Sequence, residues 1–308
     1  MSKPIIVLGS LNMDLLARTP HLPVAGETLT ASLLETLPGG KGANQAVAAA
    51  RLGAAVSMIG CLGDDAFGEA MRASLKNDGV GISAVRSVAG QHTGTALITV
   101  APEGGNTIVL APGANGAAGA PELHALEVLL PQAGLLLLQL EVPLETVRGA
   151  LALAAEHQVP AILDPAPARM LPKDVLQLVA VLTPNEVEAA QLTGLTVNSP
   201  GEAAVAARSL HKAGAGAVVV TLGALGCYYL TEEEQRFMPG FKINAVDTVA
   251  AGDAFNGALA VALSEERPWR EAIRFATAAG ALTATRPGAQ PALPSRAEVE
   301  AFLSGLQG

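Results

Sequence analysis

The segment Asp247-Thr248-Val249-Ala250-Ala251-Gly252-Asp253-Ala254-Phe255-Asn256-Gly257 sets two carboxylates six residues apart around a run of small residues. The apolar stretch 258–263 follows, which is the grammar of a loop opening a helix. The first amides of a helix have no partner within it and its N-terminus is electropositive, so anions settle there. Asp253 would stand at that end. Amides that hold a transferring phosphate, beside a carboxylate that takes a hydroxyl proton, are what phosphoryl transfer to an alcohol requires. Asp is also a favoured helix cap, and an ordinary capped helix is the plain alternative.

Other polar or glycine-rich runs stand where apolar strand candidates end. Gly9-Ser10-Leu11-Asn12-Met13-Asp14 follows the first of them. In an extended chain Asn12 and Asp14 face the same way and can bind neighbouring hydroxyls; an Asx-turn is the competing account. Pro38-Gly39-Gly40-Lys41-Gly42-Ala43-Asn44-Gln45-Ala46 leads into a helix. It lacks P-loop spacing, and no G-x-G-x-x-G follows the first strand, so a nicotinamide site is disfavoured. Lys41 with Asn44 one turn on could hold a polyol, or the run is a flexible loop. Glu141 comes at the end of the apolar run 135–140. In Thr183-Pro184-Asn185-Glu186-Val187-Glu188, Asn185 and Glu188 share a helix face and could order metal-bound waters around phosphates, or simply cap the helix. Thr221-Leu222-Gly223-Ala224-Leu225-Gly226 offers a glycine-rich wall for a nucleotide, or a plain turn.

The elements that must position these residues follow from the hydrophobic pattern. Short, wholly apolar runs at Ile5–Leu8, Ala55–Ile59, Leu135–Leu140, Ala161–Leu163, Leu178–Leu182 and Ala217–Thr221 suit strands covered on both faces. Helical patterns lie between them at Ala43–Leu52, Gly68–Asn77, Pro143–His157, Glu186–Leu192 and Glu202–Ala213, and later at Ala254–Leu263, Arg270–Ala284 and Arg296–Leu306. Alternating βαβ units predict an α/β fold with a mostly parallel, doubly wound sheet. Leu15–Leu37 and His92–Leu110 break that rhythm with extended segments and turns such as Glu103-Gly104-Gly105-Asn106-Thr107. Together they predict a small β-sheet lid on a single domain spanning 1–308.

The net charge of -9, without a Lys/Arg cluster, argues against nucleic acid as a partner. Cys61 and Cys227 stand apart, no CxxC pair exists and the five histidines are scattered, so a zinc site is not expected and a reducing cytoplasm is. The apolar start is too short for a signal peptide, and no charge-free run reaches membrane-spanning length.

From Gly9 to about Pro294 the chain resembles the ribokinase/phosphofructokinase-B family of sugar kinases. The resemblance rests on Asn12-Met13-Asp14, Gly39-Gly40-Lys41-Gly42-Ala43-Asn44, Asp164-Pro165-Ala166-Pro167-Ala168, Asn185 with Glu188, Asp247–Asp253, and Gly288-Ala289-Gln290-Pro291. It implies a three-layer α/β sandwich whose β-lid often clasps a second subunit, hence a homodimer. It also implies ATP-dependent phosphorylation of the 5-hydroxyl of D-ribose, or of another small sugar or nucleoside. Asn12, Asp14, Gly40, Lys41, Asn44 and Glu141 would hold the sugar, with Asp253 the base. In the catalytic loop from Ala250, Ala251, Gly252 and the Asp253 amide would form the anion hole. Asn185 and Glu188 would organise Mg-ATP, while Thr221, Gly223, Gly226, Gly252 and Thr277 would line the nucleotide site. A monovalent cation, usually potassium, would sit on the Asp247 side chain and the carbonyls of Val249, Thr283, Arg286 and Gly288. Ala292 stands where many relatives carry a serine ligand, and Thr277 where some carry a larger adenine contact. A scarcity of aromatic residues, with only one Trp, favours a small polyol over a nucleoside. A sugar-binding protein without catalysis would not need a base at Asp253.

Overall fold

The computed structural model describes residues 3–102 and 105–305; Glu103, Gly104 and Leu306 of the segments above lie outside the described residues. Along the chain β1 (Ile5–Leu8) leads into β2 (Asn12–Arg18) and β3 (Leu33–Gly39), then α1 (Lys41–Arg51), β4 (Val56–Gly63), α2 (Ala66–Asn77) and β5 (Gly81–Val88). Strands β6 (Gly94–Val100) and β7 (Asn106–Ala111) precede α3 (Ala120–Leu129), β8 (Leu135–Leu138), α4 (Leu144–Glu156) and β9 (Ala161–Leu163). A one-turn α5 (Lys173–Leu176), β10 (Val181–Leu182), α6 (Glu186–Thr193), α7 (Pro200–Ala213) and β11 (Ala217–Thr221) complete the alternating part. The chain closes with the hairpin β12 (Gly226–Leu230) and β13 (Gln235–Pro239), followed by α8 (Ala251–Ser264), α9 (Trp269–Thr283) and α10 (Arg296–Gly305).

Nine strands form the main sheet in the order β13-β12-β11-β10-β9-β8-β1-β4-β5. All pairings from β11 to β5 are parallel, and β12 and β13 add an antiparallel edge. Alternate residues of β1 serve opposite cores. Ile5 and Val7 pack with α1, α2, α8 and α9, whereas Ile6 and Leu8 pack with α3, α4 and α7. Two helical layers on one sheet explain why the strands read as continuous apolar runs. β1 lies between β4 and β8, so the direction of strand addition reverses there, and ligands gather at the carboxyl ends of strands at such a reversal.

The two excursions form one separate sheet in the order β3-β2-β6-β7. It begins at Asn12, earlier than the 15–37 span, so Asn12 and Asp14 belong to its first strand and do not close β1 with an Asx-turn. Register assigns its faces: Leu16, Ile98 and Ile108 stand opposite one another on one side, and Leu97 and Val109 on the other.

Several boundaries differ from the sequence pattern. Of Leu178–Leu182 only Val181 and Leu182 are strand; Leu178 and Val179 close a turn after α5, where their apolar character fills the core without ladder pairing. β8 stops at Leu138, which leaves Glu141 on the loop beyond it. α8 begins at Ala251, so Gly252 and Asp253 lie within its first turn. Strands β5 and β13 and helix α3 carry mixed patterns that periodicity did not single out, and β12, wholly buried but short and opened by a glycine, was not singled out either.

Candidate active site

The N-terminus of α1 is seated directly on the end of β1. A Cβ on Gly42 would lie 2.7 Å from Gly9 C and Ser10 N, and the Ala43 amide donates to Ser10 O at 2.9 Å. Gly40, which precedes the helix, has φ 86°, and a Cβ there would lie 2.7 Å from the Asn12 amide. A side chain at Gly42 would push α1 away from the end of β1, and one at Gly40 away from the start of β2. This close seating gathers three donors on Glu141 Oε2: Ser10 Oγ at 2.5 Å, the Lys41 amide at 3.3 Å and Asn12 Nδ2 at 3.4 Å. Asn115 steadies the same turn, accepting from the Leu11 amide at 2.9 Å and donating to Asn12 Oδ1 at 2.7 Å.

Helix α8 meets α1 at Gly257, where a Cβ would lie 2.7 Å from the Ala48 methyl. That approach brings α1 against Asp253, which is 5% exposed. Asn44 Nδ2 donates to Asp253 Oδ2 at 2.9 Å and Gln45 Nε2 to Oδ1 at 3.0 Å. Ala250 ends the loop in the left-handed region at φ 60°. The Ala251 amide donates to Thr248 O at 3.2 Å, while the Gly252 and Asp253 amides bond to no described residue. Two bare amides therefore stand at the positive end of α8, and the third expected donor, Ala251, is already engaged.

A cavity of about 850 Å³ opens between these elements and the lid. Asn12, Asp14, Gly40, Lys41, Asn44 and Glu141 line it together with Asp253, Ala250 and the Asp247–Val249 loop. Leu16, Ala96 and Ile98 of the lid form an apolar roof. Polar groups converging below an apolar roof fit a small, hydroxyl-rich ligand.

Acidic groups crowd this floor. Burial, then the charges of Glu141 and Asp253, push the Asp14 carboxyl up to about 7. Burial also pushes Asp164 up to about 7; the Lys41 ammonium, 3.8 Å away, opposes this, while Glu188 and Asp253 reinforce it. Although burial works against the charge on Lys41, the surrounding Asp164, Asp253, Glu141 and Glu188 hold its pKa above the usual lysine value. Lys41 is thus a fixed cation among carboxylates.

The residues expected at a nucleotide lie outside the cavity. Asn185 and Glu188 form a reciprocal capping box on α6: the Glu188 amide donates to Asn185 Oδ1 and the Asn185 amide to Glu188 Oε2, each at 2.8 Å. Burial, foremost, raises the Glu188 carboxyl above its ordinary range. Asn185 bridges to Thr221 at the end of β11. Gly223, at φ 53°, presents open backbone, whereas Gly226, at φ 112°, lies against the Met238–Gly240 backbone. The Thr277 hydroxyl donates to Ile273 O at 2.7 Å.

Among the described residues no cluster of three or more His, Cys, Asp or Glu side chains could hold a metal ion. Asp247 accepts from the Val249 amide through Oδ1 and from the Gly288 amide through Oδ2, both at 3.0 Å, tying the loop to the C-terminal segment. The carbonyls of Val249, Arg286 and Gly288 accept no hydrogen bond from described residues, while that of Thr283 accepts from the Arg286 amide at 3.2 Å. The Arg286 side chain pairs with Glu298. Ala292 is buried and brings no side-chain oxygen.

Residues 2–296 match the family described as pfkB family carbohydrate kinase. A ribokinase of Haemophilus influenzae is 43% identical over 303 residues, covering 98% of this chain and 99% of that protein. A ribokinase of Schizosaccharomyces pombe is 42% identical, with 96% of each covered. The solved structure of an Arabidopsis thaliana ribokinase complexed with ribose and ATP superposes with a TM-score of 0.90 at 34% identity, covering 98% of this chain and 99% of that one. The chain belongs to the pfkB carbohydrate kinase family.

For a pfkB kinase, the wall around Asp253 holds more than the sequence pointed to. Gln45, Asp164, Ser10 and Asn115 all contact the candidate residues, yet each reads locally as a turn or helix residue. Ser10, Gln45 and Asp164 did stand inside the motifs named above. Their chemistry depends on contacts across more than a hundred residues of chain, which no local spacing reports.

Proposed function

We propose that this chain transfers a phosphoryl group from ATP to O5 of D-ribose, giving D-ribose 5-phosphate, with Asp253 as general base. One observation carries the reading: Asp253 shares a cavity with Asn12, Asp14, Lys41, Asn44 and Glu141 and lies beside the bare amides that open α8. The similarity to ribokinases over nearly the whole chain supports it. Carboxylates and amides offer the sugar hydroxyls both acceptors and donors. Asp253 takes the proton of the hydroxyl that attacks, and the Gly252 and Asp253 amides face the charge that develops on the transferring group.

ATP would come with magnesium, which neutralises phosphate charge during transfer. Asn185 and Glu188 fit it as holders of its waters, because each carboxylate oxygen retains a lone pair beyond the capping box. Thr221, Gly223 and Thr277 would border the nucleotide. The free carbonyls of Val249, Arg286 and Gly288 beside Asp247 fit a potassium ion, with Thr283 a weaker member because its carbonyl is shared. Such an ion would brace the Asp247–Asp253 loop without touching the sugar.

Turnover of ribose, deoxyribose, fructose and adenosine with ATP, measured in potassium and in sodium buffers, tests the assignment. Ribose is expected to turn over fastest, and faster in potassium. Preference for another acceptor would sink the substrate, and equal rates in potassium, in sodium and without either would remove the cation.

The lid supports a homodimer. Leu34 is 68%, Leu97 49% and Val109 63% exposed, and they lie on the lid face turned away from Leu16 and Ile98. Sedimentation at micromolar concentration is expected to show a dimer that Leu97→Lys dissociates; a wild-type monomer would refute it. No helix among the described residues is long and apolar enough to cross a membrane. A reducing cytoplasm suits Cys61 and Cys227, which are buried free thiols pushed up to about 12 by burial.

A further inference from the structure

Gln45 is fully buried between two carboxylates on different elements. Its Nε2 donates to Asp253 Oδ1 at 3.0 Å and to Asp164 Oδ2 at 2.8 Å, and its Oε1 accepts from Gln139 Nε2 at 2.6 Å. Both amide hydrogens and the carbonyl are therefore committed, and only one orientation serves all three partners. Turned over, the amide would set its oxygen against the carboxylate oxygen of Asp253, which only accepts. Asn44, the preceding residue of α1, supplies the donor for the other oxygen of Asp253. The Asp164 oxygen that accepts from Gln45 lies 3.8 Å from the Lys41 ammonium as well. Adjacent residues of one helix thus fix the plane of the Asp253 carboxylate, one donor to each oxygen.

We propose that Gln45 and Asp164 are positioning residues for the phosphoryl transfer: Asp164 orients the Gln45 amide, and that amide holds Asp253 in the orientation from which it takes the sugar proton. This rests on the reading of Asp253 as the base. The terminal torsion of an aspartate is broad and roughly two-fold, so a carboxylate with one donor removed can turn. Misplacing a reacting group by an ångström costs on the order of 10²-fold in rate. Neither Gln45 nor Asp164 lines the sugar cavity, so the loss of Gln45 falls on kcat and spares the sugar KM, whereas Asp164→Leu also removes the counter-ion of Lys41.

Four single variants and one double variant test this in the full chain with ribose and Mg-ATP. Gln45→Leu is expected to lower kcat by on the order of 10²-fold, with the ribose KM changed by less than about threefold. Asp164→Leu should lower kcat by a similar factor, and Asp164→Asn, which restores an acceptor for the Gln45 amide, should recover most of the lost turnover. In the Asp253→Asn background, Gln45→Leu should add almost nothing, because residues acting as one unit are not additive. Ribose binding by calorimetry and the thermal midpoint show that each variant is folded. If Gln45→Leu does not fold, the Asp164 pair decides. Wild-type kcat in Gln45→Leu, or equal kcat in Asp164→Leu and Asp164→Asn, overturns the positioning role when Asp253→Asn is inactive. An active Asp253→Asn enzyme overturns the base assignment instead.

Discussion

Replacing Asp253 with asparagine is expected to reduce turnover by about 10²–10⁴-fold, the usual contribution of a general base. The substitution preserves shape but removes the acceptor for the hydroxyl proton. Ribose affinity should change little, since Asn12, Asp14, Lys41 and Glu141 line the same cavity independently of residue 253. Asn44 and Gln45 both point N–H groups at this carboxylate, and an asparagine side chain offers them only one oxygen. One of those donors therefore loses its partner, and a modest fall in thermal midpoint should accompany the catalytic loss. Steady-state kinetics beside calorimetric titration with ribose separates the two effects. Turnover within a few-fold of wild type would refute the mechanism.

Asp14→Asn is expected to raise the ribose KM by on the order of 10–10²-fold at pH 8, because hydrogen bonds to a charged group contribute about 1.5–3 kcal/mol. Its carboxyl titrates at about 7, pushed there by burial and by Glu141 and Asp253. Hydroxyl donors favour the ionised form, so ribose should bind to ionised Asp14. The wild-type KM should then rise as pH falls below about 7, by up to about tenfold per pH unit, and Asp14→Asn should flatten that limb. Stability moves the other way. The folded-state value of about 7 lies above the unfolded 3.8, so the folded protein holds the extra proton between those limits. The contribution of Asp14 is most favourable below about pH 4 and is lost as pH rises through 7. At pH 8, Asp14→Asn should therefore unfold at a higher temperature than wild type while binding ribose less well. A wild-type KM independent of pH between 6 and 8, together with an unchanged KM in Asp14→Asn at pH 8, would remove Asp14 from sugar binding.

The alternating apolar runs were enough to read the parallel sheet, because strands buried on both faces need apolar residues at every position. The lid was readable as a break in that rhythm, since Leu15–Leu37 and His92–Leu110 show turns where helices should be. The edge hairpin β12–β13 escaped notice because Gln235–Pro239 is half solvated and its mixed pattern resembles a loop. At the site, Asn12, Asp14, Lys41, Asn44 and Asp253 were nameable because glycines and apolar runs flank them at short range. Gln45 and Asp164 had no such signal for a role, as their partners are distant in sequence.

The opening motif divides in the same way. Sequence alone determined that 247–257 opens a helix with small residues around two carboxylates, because capping and anion affinity are local properties of a helix end. Tertiary structure decided what each group does there. The contact of α8 with α1 at Gly257 turns Asp253 toward Asn44 and Gln45, and Asp247 is drawn back onto the Gly288 amide. The Ala251 amide is spent within the loop on Thr248, leaving those of Gly252 and Asp253 bare. A hydrogen bond has one direction and reaches about 3 Å, so which donors remain free depends on the packing of elements far apart in the chain.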